Sequence, residues 1–373
     1  MDNARGVTGG LNAIRHATNP LREQQALRFQ YVLPTGSSGR QLLEADGYQV
    51  HELPFLEISR RKADLLGYLP MLLLNGWRLY RLARREGASI IHQNDFYNLA
   101  GYVAKFFSLG RLRVIVHVRL LPQTMPSPLA RFWSKLAAWF ADYTVCVSQA
   151  VRQYFSDRPN LRVIYDPLPE TERYAAPSRP LISAEAPVQL LYLSNYMQGK
   201  GQDLALQAFR LAYAQDKRLR LRFAGSDMGM SKNKEFRQRL EVEIMQYHLG
   251  EVVQFDGFVA DVEAAIKATD VVLNFSESES FSLTCLDALF YGTPLIASDC
   301  GGPAELFESG RSGLLVPNRD VPAMTAAIIQ LAADATLRAG FVEAGRQYVR
   351  QKFAPAYTYL ALRNLYTEVL EQA

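Results

Sequence analysis

Cysteine is scarce in this 373-residue chain. The three present, Cys146, Cys285 and Cys300, show no Cys-x-x-Cys spacing and cannot all pair, so a disulfide framework is excluded and reduced thiols of a cytoplasmic protein are expected. The five histidines do not fall at ligand spacing from these cysteines, so no metal site is expected. No run of 18 apolar residues occurs, which leaves no candidate membrane-spanning helix. The first ten residues carry Asp2 and Arg5 but no apolar core, so they do not read as a secretory signal. No Gly-x-Gly-x-x-Gly follows a strand with an acid about 20 residues on, which argues against a nicotinamide dehydrogenase. Basic residues are dispersed without a base-reading motif, so no nucleic-acid partner is expected.

What the chain does have is alternation. Apolar runs of strand length alternate with longer stretches of helical period, the pattern of a parallel α/β architecture. Strands are expected at Arg28–Leu33, Gln49–Pro54, Ile90–Gln93, Arg113–His117 and Tyr143–Val147. In the second half they are expected at Gln189–Leu193, Leu219–Ala224, Val252–Phe255, Val271–Phe275, Pro294–Ala297 and Gly313–Val316. Helices are expected at Leu11–Glu23, Gly67–Arg85, Ala130–Ala141 and Phe353–Leu370. Asp166–Pro187 holds Pro167, Pro169, Pro177, Pro180 and Pro187, a density that breaks helix and sheet and reads as a linker. The expected organisation is therefore two doubly wound domains, 1–170 and 171–352, followed by a C-terminal helical segment, 353–373. Ligands of such domains bind at the carboxyl ends of the strands.

The N-terminal domain opens oddly. Its glycine turn, Gly6-Val7-Thr8-Gly9-Gly10, comes almost at once, preceded only by the mostly polar Met1–Arg5. The first strand is missing, and the reading frame is expected to begin upstream of Met1. Charge is uneven as well: residues 1–170 carry +8 and the remainder −4. Such an excess fits an anionic partner, though it also fits an ordinary solvated surface. Met71–Arg85 and Pro128–Phe140 are apolar, aromatic and basic. They read either as core helices with outward arginines or as helices lying on an anionic leaflet.

Two stretches carry chemistry. The first runs from Asn274 to Gly302 and reads strand, polar loop, helix, glycine stop at Gly292, then strand. Its loop delivers backbone N–H groups at a helix N-terminus, a setting that binds phosphate through free donors and the helix dipole. Glu279 lies beside that anion site and Asp287 in the helix body. One acid could hold sugar hydroxyls and the other a ribose, or both could be ordinary solvated carboxylates. The second stretch, Leu190–Asp203, feeds a strand into Gly199-Lys200-Gly201 and a helix. The glycines permit close backbone approach, and Lys200 can neutralise phosphate. It is not a Walker loop.

In order and spacing, residues 190–320 resemble glycosyltransferase family 4, the retaining family with the GT-B fold of two Rossmann-like domains facing across a cleft. Ser194-Asn195 stands for that family's Gly-Arg, Lys200-Gly201 for its Lys-Gly, Glu279 and Asp287 for its paired glutamates, and Gly301-Gly302 with Glu305 for its last element. The N-terminal half matches more loosely, through Gly9-Gly10, His92-Gln-Asn94-Asp95 and His117. The resemblance implies transfer of a sugar from a nucleotide-diphosphate sugar to a glycan or lipid-linked acceptor, in surface polysaccharide or glycolipid assembly. No cofactor or metal is implied. Lys200 would bind the diphosphate, Glu279 the donor sugar, and the N–H groups of Ser280, Phe281, Ser282 and Leu283 the phosphate. Asp287 would bind the ribose, while His117 would line the site near the transferring sugar and Gly9 and Gly10 would let their loop approach the phosphates. From its position alone, without the resemblance, His117 reads as a hydrogen-bonded core residue ending a strand. Asn195 replaces a cation and Asp287 is one methylene short. Those departures keep open a non-catalytic GT-B subunit serving a partner enzyme, and a nucleotide-sugar epimerase is a further alternative. Weak peripheral membrane contact through the basic N-terminal half, on the cytoplasmic side, completes the reading.

Overall fold

The computed structural model describes residues 1–2, 6–24, 27–55, 62–169 and 186–372. Most of the proline-rich stretch Asp166–Pro187 lies outside these. The chain forms two compact units, Met1–Pro167 joined by Pro355–Ala373, and Leu168–Ala354.

In the first unit the order is α1 (Gly9–Glu23), β1 (Gln30–Pro34), α2 (Gly39–Ala45), β2 (Gln49–Leu53), α3 (Lys62–Glu86), β3 (Ile90–Asn94), α4 (Ala100–Phe107), β4 (Arg113–Val118), α5 (Ser127–Phe140), β5 (Tyr143–Cys146), α6 (Gln149–Arg152) and β6 (Leu161–Val163). All strand pairs are parallel, in two sheets ordered β1-β2 and β3-β4-β5-β6. Met1 and Asp2 lie between them. The N–H of Asp2 donates to Val32 of β1 (3.0 Å), the N–H of Asn94 of β3 donates to Met1 (2.8 Å), and Asp2 and Asn94 form an isolated parallel bridge. Two residues thus occupy the place where a doubly wound domain carries its central strand.

In the second unit the order is β7 (Val188–Leu193), α7 (Gln202–Gln215), β8 (Leu219–Ala224), α8 (Ser231–Gln246), β9 (Val253–Gly257), α9 (Val262–Lys267), β10 (Val271–Asn274), α10 (Leu283–Tyr291), β11 (Leu295–Asp299), β12 (Leu314–Pro317), α11 (Val321–Ala333) and α12 (Ala335–Lys352). Its parallel sheet runs β12-β11-β10-β7-β8-β9. Strand order reverses between β7 and β10, the point where such a sheet opens a crevice for ligands. β10 is buried throughout, as expected of a parallel strand covered on both faces. Asp261, Asp320 and Asp334 cap the N-termini of α9, α11 and α12 with their carboxylates.

The last helix, α13 (Pro355–Glu371), belongs to the first unit. Leu362, Leu365, Tyr366 and Val369 form its apolar face. They close a core with Ala17 and Leu21 of α1, Ile115 of β4, and Tyr143 and Val145 of β5. The expected strands lie within a few residues of those observed. β6 was not foreseen, because its three half-buried residues carry no period. Leu365→Ala should destabilise the first unit by roughly 2–5 kcal/mol, since a buried leucine leaves both lost transfer energy and a cavity. Urea unfolding followed by fluorescence reads the shift, and an unchanged midpoint would show that α13 does not hold this core.

Candidate functional site

The reversal point of the second sheet is built by three loops packed backbone to backbone. After β7, residues 194–201 turn back with Gly199 and Gly201 at positive φ. A Cβ on Gly201 would lie 2.0 Å from the carbonyl oxygen of Phe275, so only glycine fits there. The N–H of Glu277 donates to Gly199 (2.9 Å), tying this loop to the one after β10. Tyr192 braces both from beneath: its hydroxyl donates to the carbonyl of Lys200 (2.5 Å) and accepts from the N–H of Phe275 (2.8 Å). The third loop follows β11. A Cβ on Gly302 would stand 2.3 Å from Cα of Phe281, and the N–H of Gly302 donates to the carbonyl of Glu279 (2.8 Å).

These contacts bring Lys200 and Glu279 together. The Lys200 ammonium lies 2.7 Å from Oε1 of Glu279, which also accepts from the hydroxyl of Ser276 (2.9 Å). Burial lowers the pKa of Lys200, but the Glu279 carboxylate outweighs it, so the net shift is upward and the ammonium stays charged. The carbonyl of Ser276, itself buried, accepts from the hydroxyl of Ser298 (2.6 Å). Neither serine was singled out in the sequence, although both lie in the stretch Asn274–Gly302 that was.

Beside this pair α10 begins. Its cap, Ser282, sits at φ +84, a left-handed conformation that a non-glycine residue adopts at a cost of about 1–3 kcal/mol and that recurs at ligand-binding sites. The Ser282 hydroxyl accepts from the N–H of Cys285 and from Nδ2 of Asn274 (3.0 Å). The N–H groups of Leu283 and Thr284 head the same first turn, which has no intrahelical acceptors. One turn further, Asp287 is half-buried, with no hydrogen-bond partner among the described residues. Desolvation raises its pKa to about 7. Asn195 is exposed on the loop after β7, and its Oδ1 accepts from the N–H of Ser226 (3.1 Å). It therefore braces the neighbouring loop after β8, where a Cβ on Gly225 would meet the carbonyl oxygen of Ser194 at 1.9 Å. Lys200, Glu279, Ser280, Phe281, Ser282, Leu283, Asp287 and Asn195 thus all lie around one reversal point.

Gly9, Gly10 and His117 belong to the other unit. Thr8 caps α1 by accepting from the N–H of Leu11 (3.2 Å), so Gly9 and Gly10 form its first turn. A Cβ on Gly10 would contact the Arg119 side chain at 3.2 Å. His117, near the end of β4, is buried and stacked on His92 with centroids 5.5 Å apart. Burial, then the charge of Arg119, holds its pKa well below the usual range, so the ring is neutral. Nε2 of His117 has no partner among the described residues. Arg119 anchors the cluster: it donates to both carboxylate oxygens of Asp166 (2.6 and 2.7 Å) and to Oδ1 of Asn94 (2.5 Å). Sequence reasoning missed Arg119 and Asp166. The only signal was that Arg119 follows directly on the end of β4, two residues beyond His117. Among the described residues, no cluster of His, Cys, Asp or Glu is arranged to hold a metal ion.

Residues 178–348 match the family described as Glycosyl transferases group 1, and residues 13–169 match Glycosyltransferase Family 4. The N-acetyl-alpha-D-glucosaminyl L-malate synthase of Bacillus anthracis is 22% identical over 360 residues, covering 89% of this chain and 92% of the relative. A D-inositol 3-phosphate glycosyltransferase of Thermobispora bispora is 29% identical over 342 residues, covering 86% and 79%. Among solved structures, Anabaena Alr3699/HepE in complex with UDP and glucose superposes with a TM-score of 0.81 at 19% identity, over 98% of each chain. With two successive Rossmann-like units, and with the Lys200, Glu279 and Gly301-Gly302 elements converging where the second sheet reverses, the chain belongs to the family 4 glycosyltransferases of the GT-B fold.

Proposed function

We propose that this glycosyltransferase takes a nucleoside-diphosphate sugar at the β7/β10 reversal point and passes the sugar, with retention of anomeric configuration, to a glycan or lipid-linked acceptor. The observation that carries the reading is the Lys200–Glu279 pair beside the N-terminus of α10. An ammonium has three donors. One is engaged by Glu279, which leaves two for a diphosphate. The first-turn N–H groups of α10 and its dipole add positive potential where the leaving diphosphate gains charge. No metal is needed in this scheme. The Glu279 carboxylate, fixed by Ser276 and Lys200, accepts hydroxyls of the donor sugar. Asp287, lacking a partner of its own, accepts from the ribose. As the anomeric C–O bond breaks, its electrons pass to the diphosphate. The acceptor oxygen attacks from the same face and its proton goes to a phosphate oxygen. His117, neutral and with Nε2 unengaged, contributes a hydrogen bond to the transferring sugar.

Surface polysaccharide or glycolipid assembly is the proposed setting, supported by relatives named as a lipopolysaccharide core mannosyltransferase and a putative colanic acid biosynthesis glycosyltransferase. UDP is the first donor nucleotide to try, since Alr3699/HepE was crystallised with it. Peripheral contact with the inner leaflet is part of the proposal. No helix among the described residues is long and apolar enough to cross a membrane, yet Leu69, Leu73 and Trp77 of α3, Phe106 of α4, and Phe132 and Trp139 of α5 are exposed.

Calorimetric titration with UDP, GDP, ADP and dTDP tests the donor site. Selective binding of one supports it, and binding of none favours a non-catalytic subunit. With the bound nucleotide known, Lys200→Ala should weaken the diphosphate at least tenfold while leaving the nucleoside within about threefold. Glu279→Gln should lower turnover by about 10²-fold or more with little change in nucleotide affinity. Equal losses in affinity and turnover would reject these roles.

Asp287 gives a pH signature. Its folded pKa is raised from 3.8 to about 7, so between those values the folded protein binds the proton that the unfolded chain releases. Stability therefore falls as pH rises from about 4 to about 7 and then levels off. Asp287→Asn should remove that slope and melt higher than the wild type at pH 8. Nucleotide affinity should rise with pH up to about 7 in the wild type and stay flat in the variant. Parallel pH profiles would detach Asp287 from the ribose. For the membrane contact, the protein should co-sediment with phosphatidylglycerol liposomes at low salt and release at high salt. Absence from the low-salt pellet would discard it.

A further inference from the structure

The first unit contains a cavity of about 390 Å³ whose lining shares no residue with the donor site. It is bounded by α5, the turn before it, β5 and the segment from α6 to β6. Its lining carries Arg131, Lys135 and Arg158 and no carboxylate. Neither Arg131 nor Lys135 has an ion-pair or hydrogen-bond partner among the described residues. Arg158 spends one N–H on the carbonyl of Ala138 (2.7 Å) and keeps its charge at the rim. The nearest acid in the chain, Asp157, is paired outward with Arg152. The whole stretch from Phe96 to Ala141, which includes α4 and α5, contains no aspartate or glutamate.

A second observation points to a ligand. Thr144 lines the cavity and is only 4% exposed, yet its hydroxyl meets no hydrogen-bond partner among the described residues. Its oxygen is not sealed from solvent, so it opens to the cavity with its donor available. Around it, Met125 and Phe155 supply an apolar wall. Unbalanced cations, an unengaged hydroxyl and an apolar wall around one open pocket match one ligand chemistry: an anionic head bearing several acceptor oxygens joined to an organic body. The volume far exceeds that of a lone oxyanion.

We propose that this cavity is a second binding site, for an organic phosphate monoester. Arg131, Lys135 and Arg158 engage the phosphate, Thr144 donates to it or to the ester oxygen, and the organic part lies on Met125 and Phe155. The site stands independently of the nucleotide-sugar reading, because it shares no residue with it.

The test is isothermal titration of the full chain with glucose 6-phosphate, dihexanoyl phosphatidate and inorganic phosphate, repeated in the presence of excess UDP. Saturable binding of at least one ester, tighter than inorganic phosphate and unaltered by UDP, is expected. Preference for glucose 6-phosphate identifies a soluble sugar phosphate as the source, and preference for the phosphatidate identifies a lipid headgroup. Arg131→Gln with Lys135→Gln changes two exposed side chains and should leave the thermal melt in place while weakening the ester about tenfold or more. Thr144→Val, of matched size, should weaken it independently. The proposal is overturned if neither ester binds, if inorganic phosphate binds as well as the esters, if UDP displaces them, or if the double variant binds as the wild type does.

Discussion

The donor site depends on one constraint: four loops must approach until their backbones touch. Gly201 against Phe275, Gly225 against Ser194 and Gly302 against Phe281 leave no room for a side chain. Only because those backbones meet can Lys200 reach Glu279 from a different strand, and only then does the first turn of α10 open beside the pair. The polar chemistry is thus set by close packing of uncharged main chain. This also explains why the strained φ of Ser282 persists: Glu279 before it is hydrogen-bonded to Cys300 and Gly302, and the Thr284 hydroxyl after it donates to the carbonyl of Leu193.

The two units treat charge differently. Around the reversal point of the second, Lys200 and Glu279 are partly accessible, and Glu279 also accepts from the Ser276 hydroxyl. In the first, Arg119 and Asp166 form an ion pair with both side chains less than a tenth exposed, and the imidazoles beside it are driven neutral. A buried pair of this kind adds little net stability but makes the loss of either partner expensive. It therefore fixes where His117 and the Gly10 turn lie more than how firmly the unit folds.

Much of the architecture was legible because buried parallel strands are near-continuous apolar runs, and those of the second unit stand between glycine and proline stops. The donor loops were legible because close backbone approach demands glycine at fixed offsets. The rest was hidden for specific reasons. β6 is three residues long with no period. Arg119, Asp166 and Tyr366 meet only after folding, since Asp166 lies 47 residues from Arg119 and Tyr366 lies 274 residues from His92. Asn195 reads in sequence as a lost cation, yet in the fold its side chain ties together the loops after β7 and β8. The α5 cavity arises from segments that look like ordinary helix and loop.

The return of α13 to the first unit has a consequence for how the protein comes into being. Ribosomes deliver α1 through β6 first, but the apolar surface over β4 and β5 waits for Leu362, Leu365 and Tyr366, which emerge after the whole of the second unit. Domains generally fold in order of synthesis, and here that order is inverted for completion. The second unit can close its core while the first is still exposed, which makes the nascent N-terminal half a natural client for chaperones until translation ends.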